Sequence, residues 1–100
     1  MLEDQVTPGR IMVLQWQFRE RTRRKYVVYV GQDDNPLFLM INSSVHPLVA
    51  GDPDRQRCQM LLPAAVHSFL SADSYLDCSE VFDDCAQVEV VEQIAEGLSL

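Results

Sequence analysis

Residues 19–25 read Arg-Glu-Arg-Thr-Arg-Arg-Lys, five bases and one acid within seven positions. A cluster of that density can grip a phosphate or carboxylate locally, because guanidinium and ammonium groups donate charge-assisted hydrogen bonds. Its plainer reading is a solvated hairpin loop whose charges blunt a sheet edge. Asp73 and Asp77 flank Ser74-Tyr75. Carboxylates so placed usually hold a turn through backbone N–H groups, rather than work as an acid/base pair. His46 precedes Pro47 in a loop and reads as a surface residue. His67, just before Ser68-Phe69, reads as a packed ring. Cys58, Cys78 and Cys85 include no C-x-x-C pair. They are expected to be reduced core thiols, and with the two histidines they supply no metal-ligand spacing. No Gly-rich phosphate loop occurs, since the chain holds four Gly in all. No cofactor is expected.

Charge separates the chain into two kinds of surface. The net charge is −7, and because residues 19–25 carry +4, the rest carries −11. Acids gather at Asp33-Asp34, at Asp73 and Asp77, and along Glu80, Asp83, Asp84, Glu89, Glu92 and Glu96. General nucleic-acid binding scales with phosphates neutralised, so an acidic chain with one basic run is not a general nucleic-acid binder. Its acidic face suits a basic partner. The apolar fraction of 47% is that of a globular protein, and 100 residues fit one domain with a core at about 8–96. No apolar run reaches the ~18–20 residues of a membrane span, and the start Met1-Leu2-Glu3-Asp4 lacks a leader's basic and apolar regions. The expected location is cytoplasmic, with no membrane partner.

The elements that must position these residues are read from periodicity. Pro8-Gly9 marks a turn. Met12, Leu14, Trp16 and Phe18 alternate with Val13, Gln15 and Gln17, which predicts a strand with one apolar face. Lys25–Val30 is β-branched and aromatic on both faces and predicts a central strand. Leu37–Ile41 predicts a third, and loops of about six residues would join the three into a meander. Trp16 and Tyr29 read as core. Val45–Gln56 reads as a loop with one helical turn, and residues 63–70 as a second short turn anchored by Phe69 and Leu70. Arg57–Leu62 predicts a strand with Cys58, Met60 and Leu62 on one face. Tyr75–Ser79 predicts another, with Leu76 and Cys78 inward. Asp84 and Gln87 have capping-box spacing ahead of a helix whose apolar face is Val88, Val91, Ile94 and Ala95, closed by Gly97. The sum is a mainly-β antiparallel barrel of about five strands with a C-terminal helix.

In that order of elements, Pro8-Gly9-Arg10-Ile11, Arg24-Lys25-Tyr26-Val27-Val28 and Ile41-Asn42-Ser43-Ser44 resemble the opening, second-strand and third-strand motifs of the PemK/MazF toxin family. The stretch Asp73-Ser74-Tyr75-Leu76-Asp77-Cys78-Ser79 is similar to a bacterial subgroup of it. The resemblance implies an SH3-like, PemK-type barrel, a sequence-specific endoribonuclease of the mRNA-interferase type, an antitoxin partner and a homodimer. By position, Arg24 would be the cation that holds charge on the transition state, and Ser43 or Ser44 would orient the phosphate. Arg10 stands where the family carries Asp, Lys25 where it carries Pro, and Asn42-Ser43 where it carries Thr-Ser.

Three functions follow as expectations. The first is a non-catalytic or attenuated member of this family acting as a binding module for a protein partner. Its contacts would come from Arg19, Arg21, Arg23 and Lys25, or from Glu89, Glu92 and Glu96. The second is the toxin ribonuclease, with RNA as substrate. The third is an acidic, phage-type inhibitor that fills a basic nucleic-acid groove on another protein.

Overall fold

The computed structural model describes residues 6–18, 20–44 and 51–95. Arg19, His46, Glu96 and Gly97 lie outside them. Five strands form one antiparallel sheet, in the order β1-β2-β3-β5-β4, joined by a C-terminal helix. These elements are β1 (Ile11–Gln17), β2 (Thr22–Gln32), β3 (Pro36–Asn42), a one-turn helix α1 (Pro53–Gln56), β4 (Gln59–Leu62), β5 (Ser74–Phe82) and α2 (Gln87–Ala95). The mainly-β class and its late helix are those predicted. The chain divides into two compact units, one made of Met1–Met40 with Val81–Leu100 and the other of Ile41–Glu80.

In the first unit, Thr7-Pro8-Gly9-Arg10 makes the turn expected before β1. The Arg10 N–H donates to the Thr7 carbonyl at 3.1 Å, and Gly9 takes φ +95°, a value that suits glycine at the third position of such a turn. The apolar face read for β1 is buried, but Val13 on the opposite face is buried as well, so β1 alternates only from Leu14 onward. Met12, Leu14 and Trp16 are buried, and Met12 stands opposite Val27 of β2. Val27 and Tyr29 continue that face, Phe38 and Met40 of β3 extend it, and Val6, Cys85 and Val90 complete the cluster. Trp16 meets Phe38 edge-on at 5.6 Å and Phe82 at 6.0 Å, the geometry that aromatic quadrupoles favour. Each of these large side chains contributes about 1.5–3 kcal/mol by leaving water.

β2 differs from expectation at its start. It begins at Thr22, three residues before the predicted Lys25, so Thr22, Arg23 and Arg24 are strand residues and not part of a loop. The Phe18 N–H donates to the Arg21 carbonyl at 2.8 Å, which makes the β1–β2 connection a tight hairpin instead of a six-residue loop. The cause is pairing. Every residue from Thr22 to Lys25 has a partner on β1, from Gln17 to Leu14, and those backbone bonds outweigh the polar character of the side chains.

α2 is rotated from the predicted phase. Val90 is fully buried, Val91 and Ile94 pack beside it, and Val88 is 61% exposed. The Ala86 carbonyl accepts from Glu89 and Val90, so Ala86 holds the N-cap position ahead of Gln87 and Asp84 does not cap the helix. The helix also covers the free edge of β1. The Gln15 N–H donates to Gln93 Oε1 at 2.6 Å, and Gln93 Nε2 donates back to the Gln15 carbonyl at 3.1 Å. One side-chain amide thus satisfies both backbone groups that β1 turns outward at this position.

The second unit is built differently. Asp52 caps α1 by accepting from Asp54 and Arg55, with Pro53 in the first turn, where its missing N–H costs nothing. β4 pairs with β5 from Gln59↔Asp77 to Leu62↔Ser74. Leu62 is buried, but Met60 is 55% exposed and Cys58 is exposed, so the single apolar face predicted for this strand is not formed. The predicted phase of β5 is inverted. Asp77 is buried and Cys78 is exposed. Asp73 behaves as read, its Oδ1 accepting from the Ala64 N–H at 2.8 Å. Residues 63–70 form successive turns, and His67 stacks edge-on against Phe69 at 6.0 Å.

Candidate functional site

Strand alternation sorts the basic residues of β2. Arg23 and Lys25 share the face of Val27 and Tyr29, and lie opposite Trp16 and Leu14. The core therefore runs toward the hairpin and gives way there to cations. Lys25 is half-buried. Burial, and then the neighbouring Arg23 charge, hold its ammonium below the usual lysine range. Arg24 projects from the other face, opposite Gln15, and is exposed.

Beyond Lys25, Arg23 and Arg21 line an open pocket of about 260 Å³ together with Phe18 and Glu20. The Thr22 hydroxyl donates to the Gln17 side chain across the hairpin and fixes the strand ends that carry them. Among the described residues no ion pair engages Arg21, Arg23 or Arg24. The pocket therefore offers two guanidinium forks, one aromatic ring and one carboxylate. Such a set recognises a planar anionic group beside an apolar one.

Of the binding residues named from sequence, Arg21 and Arg23 meet at this pocket, while Arg24 and Lys25 do not line it. Arg19 and Glu96 lie outside the described residues. Ser43 and Ser44 form an exposed bend after β3, in the second unit, whereas Arg24 belongs to the first. Glu89 and Glu92 are exposed on α2. Glu89 also accepts from the Cys85 thiol at 3.6 Å. Burial, reinforced by the Glu89 and Asp84 charges, pushes that thiol up to about 12.

Sequence reasoning passed over Phe18 and Glu20 as parts of a site, and it did not see the cluster around Asp77. Asp77 Oδ1 accepts from the Ser79 N–H at 2.9 Å, the Ser79 hydroxyl at 2.5 Å and Gln59 Nε2 at 2.8 Å. The Arg55 guanidinium donates to the Ser79 hydroxyl at 3.3 Å and lies 4.0 Å from Asp77 and 3.7 Å from Glu80. Burial alone would raise the Asp77 carboxyl. The Ser79 and Gln59 hydrogen bonds and the Arg55 charge outweigh it and hold the group below its ordinary value. With Oδ1 accepting three hydrogen bonds from within the chain and Oδ2 facing Arg55 at 4.0 Å, this is a structural cluster. The i, i+2 spacing of Asp77 and Ser79 was the available signal.

Among the described residues, no three His, Cys, Asp or Glu side chains are grouped to hold a metal ion. No helix there is long and apolar enough to cross a membrane. Comparison of the chain with protein-family models, with curated proteins and with solved structures finds no match.

Proposed function

We propose that this chain is a binding module, a non-catalytic or attenuated relative of the PemK/MazF barrels, that holds a protein partner through its basic hairpin. The supporting observation is the pocket in which Arg21 and Arg23, with no ion pair among the described residues, stand beside Phe18. A partner segment with acidic and apolar side chains in alternation, as an antitoxin-like tail would carry, satisfies both halves of that lining. The chain's remaining charge of −11 repels acidic partners everywhere else, which directs such a segment to the hairpin.

The test is quantitative recovery of host proteins on the wild-type chain and on the Arg21→Gln/Arg23→Gln chain, read by mass spectrometry at two salt concentrations. A specific partner should fall roughly ten-fold with the double change and fall also with added salt, since both remove the same steering charge. A recovery profile indifferent to the double change overturns the reading.

A second reading, the ribonuclease, has Arg24 in its favour. This residue is exposed, outside any ion pair among the described residues, and placed by the motif where a charge-stabilising donor belongs. Arg24→Ala should then lower RNA cleavage by roughly 10²-fold with little effect on folding. Absence of cleavage by the wild-type chain across a wide range of RNA and protein concentrations removes this alternative.

A further inference from the structure

Two of the three cysteines stand on the surface, Cys78 within β5 and Cys58 in the turn that leads directly into β4. The β4–β5 register pairs Gln59 with Asp77, and one step outward it brings Cys58 opposite Cys78. The backbone confirms the step, because the Cys78 N–H donates to the Cys58 carbonyl at 3.0 Å. The Cys58 N–H turns to the Arg55 carbonyl at 3.0 Å, so a single backbone bond joins the two cysteines. The spacing of opposed antiparallel residues, about 5.5 Å between Cα atoms, lies within the range of about 4.4–6.8 Å that a disulfide spans. Opposed side chains also leave the sheet on the same face. Both thiols are exposed and held only by weak bonds, Cys58 to the Asp54 carbonyl at 3.4 Å and Cys78 to the Leu76 carbonyl at 3.9 Å.

We propose that Cys58 and Cys78 form a dithiol site that closes to an intramolecular disulfide by exchange with a small-molecule disulfide of the glutathione class. One cysteine, as thiolate, attacks a sulfur of the small disulfide. That S–S bond breaks and releases one small thiolate. The second cysteine gives up its proton and attacks the protein-bound sulfur, forming the Cys58–Cys78 bond and expelling the second small thiolate. Two protein thiols are oxidised, one small disulfide is reduced to two thiols, and the two protons pass to the released sulfurs. Closure ties the end of α1 to β5, directly beside the Asp77 cluster. Burial, with the charges of Asp77 and Cys58, holds the Cys78 thiol above its ordinary value, so exchange through Cys78 accelerates as pH rises. Cys85 is an internal control, being buried and protonated.

The reduced full chain should be equilibrated with mixed oxidised and reduced glutathione, quenched in acid, alkylated and read by intact-mass and peptide mass spectrometry. The expected main product has lost two hydrogens, joins the Cys58 and Cys78 peptides, and keeps one alkylatable thiol at Cys85. Its melting temperature should exceed that of the reduced chain. Cys58→Ser and Cys78→Ser should each stop at a mixed disulfide with one glutathione and show no such rise. Separate glutathione adducts on Cys58 and Cys78 of the wild-type chain, or a linkage through Cys85, would overturn the proposal.

Discussion

The two compact units bury different materials. In the first, the buried cluster is Val6, Met12, Leu14, Trp16, Val27, Tyr29, Phe38, Met40, Cys85 and Val90, large side chains locked by ring contacts. In the second, the buried side chains among the described residues are Ile41, Leu62, Ser74 and Asp77, two apolar and two polar. Dispersion and burial depend on volume and hardly on pH, whereas a carboxylate network depends on protonation and on each partner's geometry. One unit should therefore fail when atoms are removed, and the other when a proton is added. The exposed surfaces divide too. The cations that the site uses sit at the rim of the apolar cluster, where a strand continues past its last buried residue.

The strongest test of this contrast is Phe38→Ala, which should destabilise the chain by about 3–5 kcal/mol in urea titration, with little change in that loss between pH 4 and pH 8. Asp77→Ala should cost about 2 kcal/mol near neutrality, because Gln59 and Ser79 lose their common acceptor and Arg55 loses the charge beside it. Its pH dependence has a definite sign. A carboxyl whose pKa is depressed by folding stabilises fully above its unfolded value of about 3.9 and loses that contribution as pH falls through the folded value. The gap between wild type and Asp77→Asn should therefore be constant at neutral pH and shrink below about pH 4. A gap that widens in acid would break the comparison. Gln93→Ala should cost about 1 kcal/mol, with faster amide exchange at Gln15 read by NMR. Glu92→Gln, which relieves repulsion from Glu89 one turn away, should stabilise α2 by a few tenths of a kcal/mol in thermal melts.

The legible parts of this chain are those where burial and apolar character coincide. The inner face of β1 could be read from Met12, Leu14 and Trp16, which alternate with exposed Gln15 and Gln17, whereas the burial of Val13 on the other face could not. The start of β2 could not either, since Thr22, Arg23 and Arg24 look like loop by composition and become strand only through their cross-strand partners. The phase of β5 was misread for a related reason. Counting apolar residues put Leu76 and Cys78 inside, but Asp77 goes inside because Ser79 lies two residues on and Gln59 stands opposite. In α2, Val88, Val90 and Val91 allow two interleaved stripes, and the choice fell to the start just after Ala86, which no capping residue advertises. The pocket was half visible, as Arg21 and Arg23 are two residues apart in one basic run, while Phe18 and Glu20 join them only once the hairpin closes tightly.

The Gln93 amide has a further meaning in time. It bonds to a backbone position 78 residues earlier in the chain. The β1–β2 hairpin is a local structure and can form soon after residue 32 leaves the ribosome, but its outer edge has no cover until residue 93 has followed. At synthesis rates of about 5–20 residues per second, that interval lasts about 3–12 seconds. During it the nascent chain presents a formed, unpaired strand edge, the feature most prone to join another chain of its own kind. Crowded polysomes, where identical nascent chains emerge side by side, are where this protein is most exposed to misassembly.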